Sequence, residues 1–141
     1  MEYWVLNTDE AELEGQGADR KMISRSCVAA WGERFGAEAK LSRPEEGDKV
    51  FLYKKGVGII AKATFDHSGP YPSNDIFGMQ HKGEFSRKIT DLKSSPIRSL
   101  SCAVIESGTG SSFRPLQTIF RIKNPVIAQF LDDSFELVMQ R

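Results

Sequence analysis

The chain has 141 residues, of which 40% are hydrophobic and 27% charged, as is ordinary for one soluble globular domain. No stretch approaches the roughly 18 consecutive apolar residues of a membrane span, and the N-terminus lacks the basic segment and apolar run of a signal peptide. Two cysteines, Cys27 and Cys102, do not make a disulfide framework. We therefore expect a single domain over residues 1–141 in the reducing cytoplasm, with no membrane partner.

Acidic and basic residues are equal in number, nineteen each, but they are unevenly spread along the chain. Residues 1–19 carry six acids and no base, whereas residues 20–123 carry eighteen bases and ten acids, a balance of +8. Because the local field decides whether a surface attracts phosphate, a neutral sum does not exclude a nucleic-acid partner. Lysines solvated singly over the surface are the alternative. The charge balance predicts that the basic residues lie on one face.

The first elements along the chain are predicted to be a strand and a helix. Residues 3–6 are continuously apolar and predict a buried strand. Asp19 is a suitable N-cap for a helix through about residue 30, which Gly32 and Gly36 would end. Residues 37–46 predict irregular chain with one helical turn at 42–45, where a serine and a glutamate have capping-box spacing.

The central and C-terminal segments predict further strands and one more helix. Residues 49–53 and 57–65 flank a Lys-Lys-Gly turn and predict a hairpin. Residues 66–85, rich in proline, glycine and aromatic residues, predict a long loop. Strands are predicted at 85–92, 101–105 and 116–122, a flexible turn at 107–112, and a helix from Asn124 and Pro125. Five to six short strands with small helices predict an α+β fold, built as a small twisted β-barrel or strongly curved sheet.

Catalytic and metal-binding patterns are scarce in the sequence. His67 and His81 are the only histidines, and with Cys27 and Cys102 they lack the short spacings of a zinc site. The Gly-x-Ser-x-Gly motif of a serine hydrolase is missing, and the stretch 107–112 lacks the lysine of a phosphate-binding loop. We therefore expect no enzyme activity, no metal and no cofactor.

Several short motifs resemble those of the EVE domains, which belong with the YTH readers to the PUA-like superfamily. They are YWVLNT at residues 3–8, AWG at 30–32 and, most specifically, GDKVFLY at 47–53 followed by GIIAKA at 58–63. TIFRI at 118–122 resembles a late strand of the EVE-like modules attached to modification-dependent restriction nucleases. The resemblance spans most of the chain and implies a small twisted β-barrel flanked by helices, with a pocket for one flipped nucleobase. We expect the basic residues to surround the mouth of this pocket near Trp31, and the loop at residues 66–85 to lie over or beside it.

The resemblance implies a site that reads a modified base, and the residue types suit one. Extruding a base from a duplex costs a few kcal/mol, aromatic stacking returns about 1–3 kcal/mol per base, and basic residues hold the flanking phosphates. Trp31 matches the position of a cage aromatic in the superfamily; packing in the core is the alternative. The expected base-binding residues are Trp31, Asn7, Thr8 and Tyr53, with Phe77 and Phe85 as alternatives for the second wall of the cage. The expected phosphate-binding residues are Lys54, Lys55, Arg87, Lys88 and Arg114.

The function implied by the resemblance is a non-catalytic module that reads a methylated or hydroxymethylated base. DNA is the favoured nucleic acid, within a restriction or defence system in which another domain or subunit supplies the nuclease. Three alternatives stay open: an RNA-binding PUA-like module, a small nucleoside-processing enzyme on a related scaffold, and a protein-interaction domain.

Overall fold

A computed structural model describes residues 1–8, 17–32, 36–78, 83–94, 98–115 and 117–140. Seven strands and four helices lie within these ranges. The strands are β1 (Tyr3–Asn7), β2 (Cys27–Ala30), β3 (Lys49–Lys54), β4 (Gly58–Phe65), β5 (Tyr71–Pro72), β6 (Phe85–Ser94) and β7 (Ile119–Arg121). The helices are α1 (Ala18–Arg25), α2 (Ala37–Ser42), α3 (Cys102–Thr109) and α4 (Pro125–Gln140).

The strands form one curled sheet in the order β2-β6-β4-β3-β1-β7, and the two-residue β5 pairs with β6. β1 and β3 run parallel, and the other neighbours are antiparallel. β6 begins beside β2 and ends beside β4, with a register shift against β4 and a left-handed residue at Asp91 (φ 51°). Such irregularities bend a strand, and the sheet curls into a half-barrel. The predicted α+β fold with a strongly curved sheet is confirmed.

The two faces of the sheet carry two hydrophobic cores. Trp4 and Leu6 of β1 face the first core, whereas Val5, between them, faces the second, as the two-residue period of a strand requires. Met22 of α1 fills the first core, and Leu131 of α4 fills the second. β3 and β4, like β1, have side chains in both cores.

The helix predicted to continue to residue 30 ends at Arg25 instead. Ser26 adopts a left-handed conformation (φ 51°), and its N–H donates to the Ile23 carbonyl at 3.3 Å, which closes the last turn. Residues Cys27–Ala30 are then free to pair with β6 as β2. Trp31 consequently follows a strand and not a helix.

Three other predictions about elements need correction. The strand predicted at 101–105 is wrong, because the Ser101 hydroxyl accepts the Val104 N–H at 3.2 Å and starts α3. α3 continues to Thr109, through the first part of the predicted flexible turn. α2 occupies much of the segment predicted as irregular.

The first strand, the hairpin, the strand from Phe85 and the C-terminal helix are confirmed. The predicted strand at 116–122 is present as the shorter β7, and Leu116 lies outside the described residues. Within the described ranges, no helix is both long enough and apolar enough to cross a membrane.

Candidate nucleic-acid interface

Three aromatic residues with predicted base-binding roles lie at the end of the β2–β6 pair. Trp31 follows β2 and is partly exposed, and Phe85 pairs with the preceding Ala30 across the sheet. The Trp31 and Phe77 rings lie 6.4 Å apart between centroids, with their planes tilted by 59°, a geometry that aromatic pairs prefer. All three pack against the first core, in which Phe77 is only 3% exposed. We call Trp31, Phe77 and Phe85 the aromatic corner.

A buried carboxylate holds the loop that carries Phe77. Glu84 Oε1 accepts the Phe77 N–H at 2.7 Å, and Oε2 accepts the Ile76 N–H at 3.4 Å. The Glu84 backbone carbonyl also accepts the Ser73 N–H at 3.1 Å. These bonds set the loop against Trp31, and no local sequence pattern indicated this role for Glu84. His81, also within the predicted loop, lies outside the described residues.

The other predicted base-binding residues form a second group at the carboxyl end of β1. Thr8 is fully buried, and both its N–H and its hydroxyl donate to the Tyr53 carbonyl, at 2.9 and 3.1 Å. The Asn7 N–H donates to the Thr118 carbonyl at 2.8 Å. Tyr53 packs in the second core, where burial and a hydrogen bond with Cys102 raise the pKa of its hydroxyl. The structure therefore separates Tyr53 from the aromatic corner, which packs on the first core.

Arg87 does not fit its predicted role as a phosphate ligand. Its side chain is only 4% exposed, and its guanidinium lies 4.6 Å above the centre of the Phe65 ring. Its N–H groups donate to four backbone carbonyls, those of Leu41, Pro44, Ser68 and Asp66, at 2.9, 2.6, 3.1 and 3.4 Å. Burial lowers the pKa of this guanidinium. Because its donors are directed at the chain's own carbonyls, Arg87 is a structural residue, and the phosphate assignment is wrong.

The remaining predicted phosphate ligands are more accessible. Lys55 and Lys88 are exposed, and Arg114 is 75% exposed with its Nη2 3.9 Å from Glu106. Lys54 Nζ lies 3.3 Å from Asp19. Other described bases also have acidic neighbours, in the pairs Arg25–Asp75, Lys93–Glu136 and Arg121–Glu2. In each of these pairs an acid partly offsets the charge of the neighbouring base.

A cleft of about 1170 Å³ lies beside the start of β1 and both ends of β7. Its lining has an almost even balance of charge, with the bases Arg43, Arg114, Arg121 and Lys123 and the acids Glu2, Glu45 and Asp48. Asp48 accepts the Trp4 indole N–H at 3.0 Å and the backbone N–H groups of Glu2 and Glu45 at 2.9 and 3.0 Å. Burial alone would raise the pKa of the Asp48 carboxyl, but these three hydrogen bonds outweigh it and hold the pKa below its usual value.

The side chains that could bind a metal ion are dispersed in the described part of the chain. No group of three or more His, Cys, Asp or Glu side chains there could hold a metal ion. His67 is exposed, whereas Cys27 is buried, and burial raises the pKa of its thiol. Neither residue lies in a ligand cluster within those ranges.

No protein-family model and no curated protein matches the sequence. Solved structures do match over nearly the whole chain. The ASCH protein from Zymomonas mobilis is 12% identical with a TM-score of 0.57, covering 93% of this chain and 94% of that one. A protein from Leishmania major is 15% identical with a TM-score of 0.55, covering 100% and 98%.

A third match is the YTH domain of the Zygosaccharomyces rouxii MRB1 protein, solved in complex with N6-methyladenosine RNA. It is 12% identical with a TM-score of 0.55, covering 97% of this chain and 88% of that one. ASCH and YTH domains both belong to the PUA-like superfamily. Identities this low establish the fold alone, and the chain has a PUA-like fold.

Proposed function

We propose that this chain is a non-catalytic nucleic-acid-binding module of the EVE type, which stacks an extruded, modified base on Trp31. The observation that carries the proposal is the partial exposure of Trp31 at the end of β2. The other tryptophan, Trp4, is only 5% exposed and donates its indole N–H to Asp48. Trp31 is thus the tryptophan with a ring surface to offer a ligand.

The surroundings of Trp31 suit a stacking platform. Phe77 supports the indole from the first core, and Glu84 fixes the backbone of Phe77. A supported ring loses little conformational entropy when a ligand binds. An indole face offers stacking to any base and adds attraction for a methylated base with partial positive charge. Stacking of about 1–3 kcal/mol then offsets part of the cost of extruding the base.

The motifs that resemble EVE domains occupy the middle of the sheet. The GDKVFLY motif forms the turn before β3 and most of that strand, and GIIAKA opens β4. This resemblance favours DNA carrying methylated or hydroxymethylated bases, with a nuclease supplied by another domain or subunit. RNA is the second candidate, because a YTH domain with N6-methyladenosine RNA shares the fold over nearly the whole chain.

A nucleoside-processing enzyme would need an acid or base beside the stacked base. The carboxylate that lies nearest in sequence to the aromatic corner, Glu84, accepts backbone N–H groups on both oxygens. A carboxylate whose two oxygens both accept backbone N–H groups has a structural role, and this favours a binding module over an enzyme.

The test is a titration of fluorescently labelled short oligonucleotides, in DNA and RNA, with and without one modified base. One discriminated methyl group is worth about 10- to 200-fold in affinity, and we expect a preference in this range for one modification. Equal affinity for modified and unmodified strands would overturn base reading, and no binding would overturn the nucleic-acid partner. Gel analysis of the same samples should find the strands intact after incubation with this chain alone.

A further inference from the structure

A second cleft, of about 530 Å³, lies between α1, the β3–β4 turn and residues 98–99. Its volume falls within the range of about 300–1,000 Å³ that is usual for small-ligand sites. Three bases line it, Arg20, Lys54 and Arg98, and its apolar lining is Ile23, Val57 and Ile60. Serine hydroxyls complete the lining. We call this the α1 cleft.

The helical wall of the cleft follows from residue spacing in α1. Asp19 and Ile23 are four residues apart, as are Arg20 and Ser24, so the four side chains share one helical face. Met22 instead points into the first core. The apolar and basic groups of this face are therefore presented to the cleft together.

The opposite wall is fixed by a close backbone approach. Ile59 and Leu100 exchange two backbone hydrogen bonds, each 2.9 Å long, outside the main ladders. Gly58 makes this approach feasible, because a Cβ there would lie 2.3 Å from the Leu100 carbonyl oxygen. Arg98 is further held by a bond of 3.2 Å from its Nη1 to the Val138 carbonyl. A guanidinium has five N–H donors, so this bond leaves others for a ligand.

The charge balance distinguishes this cleft from the larger one. The lining acid, Asp19, lies 3.3 Å from Lys54 and partly neutralises it. Arg20 has no carboxylate partner among the described residues. Three bases against one acid leave an excess of positive charge beside an apolar floor, whereas the larger cleft has four bases against three acids. A phosphate attached to a flat, weakly polar ring matches this combination.

We propose that the α1 cleft binds one nucleotide unit, with Arg20 and Arg98 on its phosphate and its base or sugar on Ile23, Val57 and Ile60. This inference rests on the proposed function where the unit belongs to a strand. The cleft, beside the end of β6, then holds a nucleotide other than the base stacked on Trp31, which lies beside the start of β6. Of the predicted phosphate ligands, Lys54 lines the cleft, and the structure adds Arg20 and Arg98. A free mononucleotide has the same chemistry, and the experiment separates these sources.

The experiment measures oligonucleotide affinity against salt concentration for the wild type, Arg20→Ala and Arg98→Ala. Each lost phosphate contact should lower the log–log salt slope by about 0.7 for a single strand and weaken binding at low salt about five- to tenfold. The preference for the modified base should stay unchanged, because neither variant touches Trp31. Arg25→Ala is the matched control, since it removes one charge from the same helix outside the cleft and should leave the slope unchanged.

The outcomes separate the two proposals. Unchanged slope and affinity in both variants would overturn the α1 cleft as a phosphate site while leaving base reading intact. Arg20→Ala keeps the test valid if Arg98→Ala, which also loses its bond to Val138, does not fold. If no oligonucleotide binds the wild type, the proposed function fails, and an NMR titration with adenosine monophosphate decides the cleft. Shifts of the Ile23, Val57 and Ile60 methyl signals would support a mononucleotide site, and their absence would overturn it.

Discussion

The Arg87 guanidinium lies 2.6 Å from the Pro44 carbonyl oxygen, 43 residues away in the sequence. Through this contact and three others, it joins β6 to the end of α2 and to residues 66–68, which follow β4. The flat guanidinium also covers the Phe65 ring. One side chain thus donates to carbonyls at and just after the end of α2 and in the segment that follows β4.

Replacing Arg87 should destabilise the fold and leave binding by the folded protein unchanged. Arg87→Met keeps much of the packing but orphans the carbonyls, and we expect a loss of about 2–4 kcal/mol in the free energy of unfolding. Arg87→Lys should recover little of it, because one ammonium cannot reproduce the fork of a guanidinium. Urea unfolding measures the loss. A stable variant with a reduced salt slope would instead restore Arg87 as a phosphate ligand.

Much of the fold could be predicted from local patterns, and the errors have local causes. The Lys49–Phe65 hairpin carries both a turn signal and β-branched strands, so pattern and structure agree there. The helix predicted through residue 30 failed because Cys27–Ala30 is apolar throughout and suits either a buried helix or a buried strand. Pairing with β6, 55 or more residues away, decides between them.

The candidate site was predictable in residue type but not in arrangement. Trp31 and Phe77 were both singled out from the sequence, and the structure brings their rings together. Tyr53 and Arg87 show what local patterns could not decide: which face of a strand a side chain takes, and whether a base is buried, depend on long-range packing. Arg20 and Arg98 could not be selected, because only folding places them in one cleft.

Trp31→Ala should mainly weaken binding, whereas Phe77→Ala should mainly lower stability. Trp31 is partly exposed, so its loss should weaken oligonucleotide binding by about 1–3 kcal/mol with a small change in melting temperature. Phe77 is buried, and its loss should cost about 3–5 kcal/mol of stability. Calorimetry of both variants measures their melting temperatures, and fluorescence anisotropy measures their affinities for the oligonucleotide. An unfolded Trp31→Ala, or a folded one that binds as well as wild type, would end the stacking assignment.

Asp48 should make stability depend on pH in the acid range. Its folded-state pKa is lowered from the usual 3.8, so its contribution is complete above that value. The contribution is lost as the pH falls through the folded-state pKa and the carboxyl takes up a proton. Asp48→Asn should lower the free energy of unfolding by about 1–3 kcal/mol at neutral pH.

Urea unfolding of the wild type and of Asp48→Asn, between neutral and strongly acidic pH, measures the gap between their free energies of unfolding. This gap should stay constant down to about pH 5 and narrow below the unfolded-state pKa of Asp48. Asp133→Asn, which removes an exposed carboxylate of α4, controls for the change in net charge. A gap that does not change with pH would contradict the role of the ionised carboxylate.

Gly58→Ala should disturb both stability and the α1 cleft. Gly58 has a φ of 124°, which strains any L side chain, and the added Cβ would lie 2.3 Å from the Leu100 carbonyl oxygen. The 98–101 segment must then move away from β4, and Arg98 moves with it. We expect a lower melting temperature together with a smaller salt slope for oligonucleotide binding.

Gly56→Ala isolates the effect of the close approach at Gly58. Gly56 also has a positive φ, of 81°, but its added Cβ would meet nothing within 4 Å. Its replacement therefore carries backbone strain of about 1–3 kcal/mol without a clash. If the close approach positions Arg98, Gly56→Ala loses stability but keeps the wild-type salt slope. Gly58→Ala then loses stability and also has a smaller salt slope. Equal slopes in the two variants would mean that the position of residues 98–101 does not govern phosphate binding.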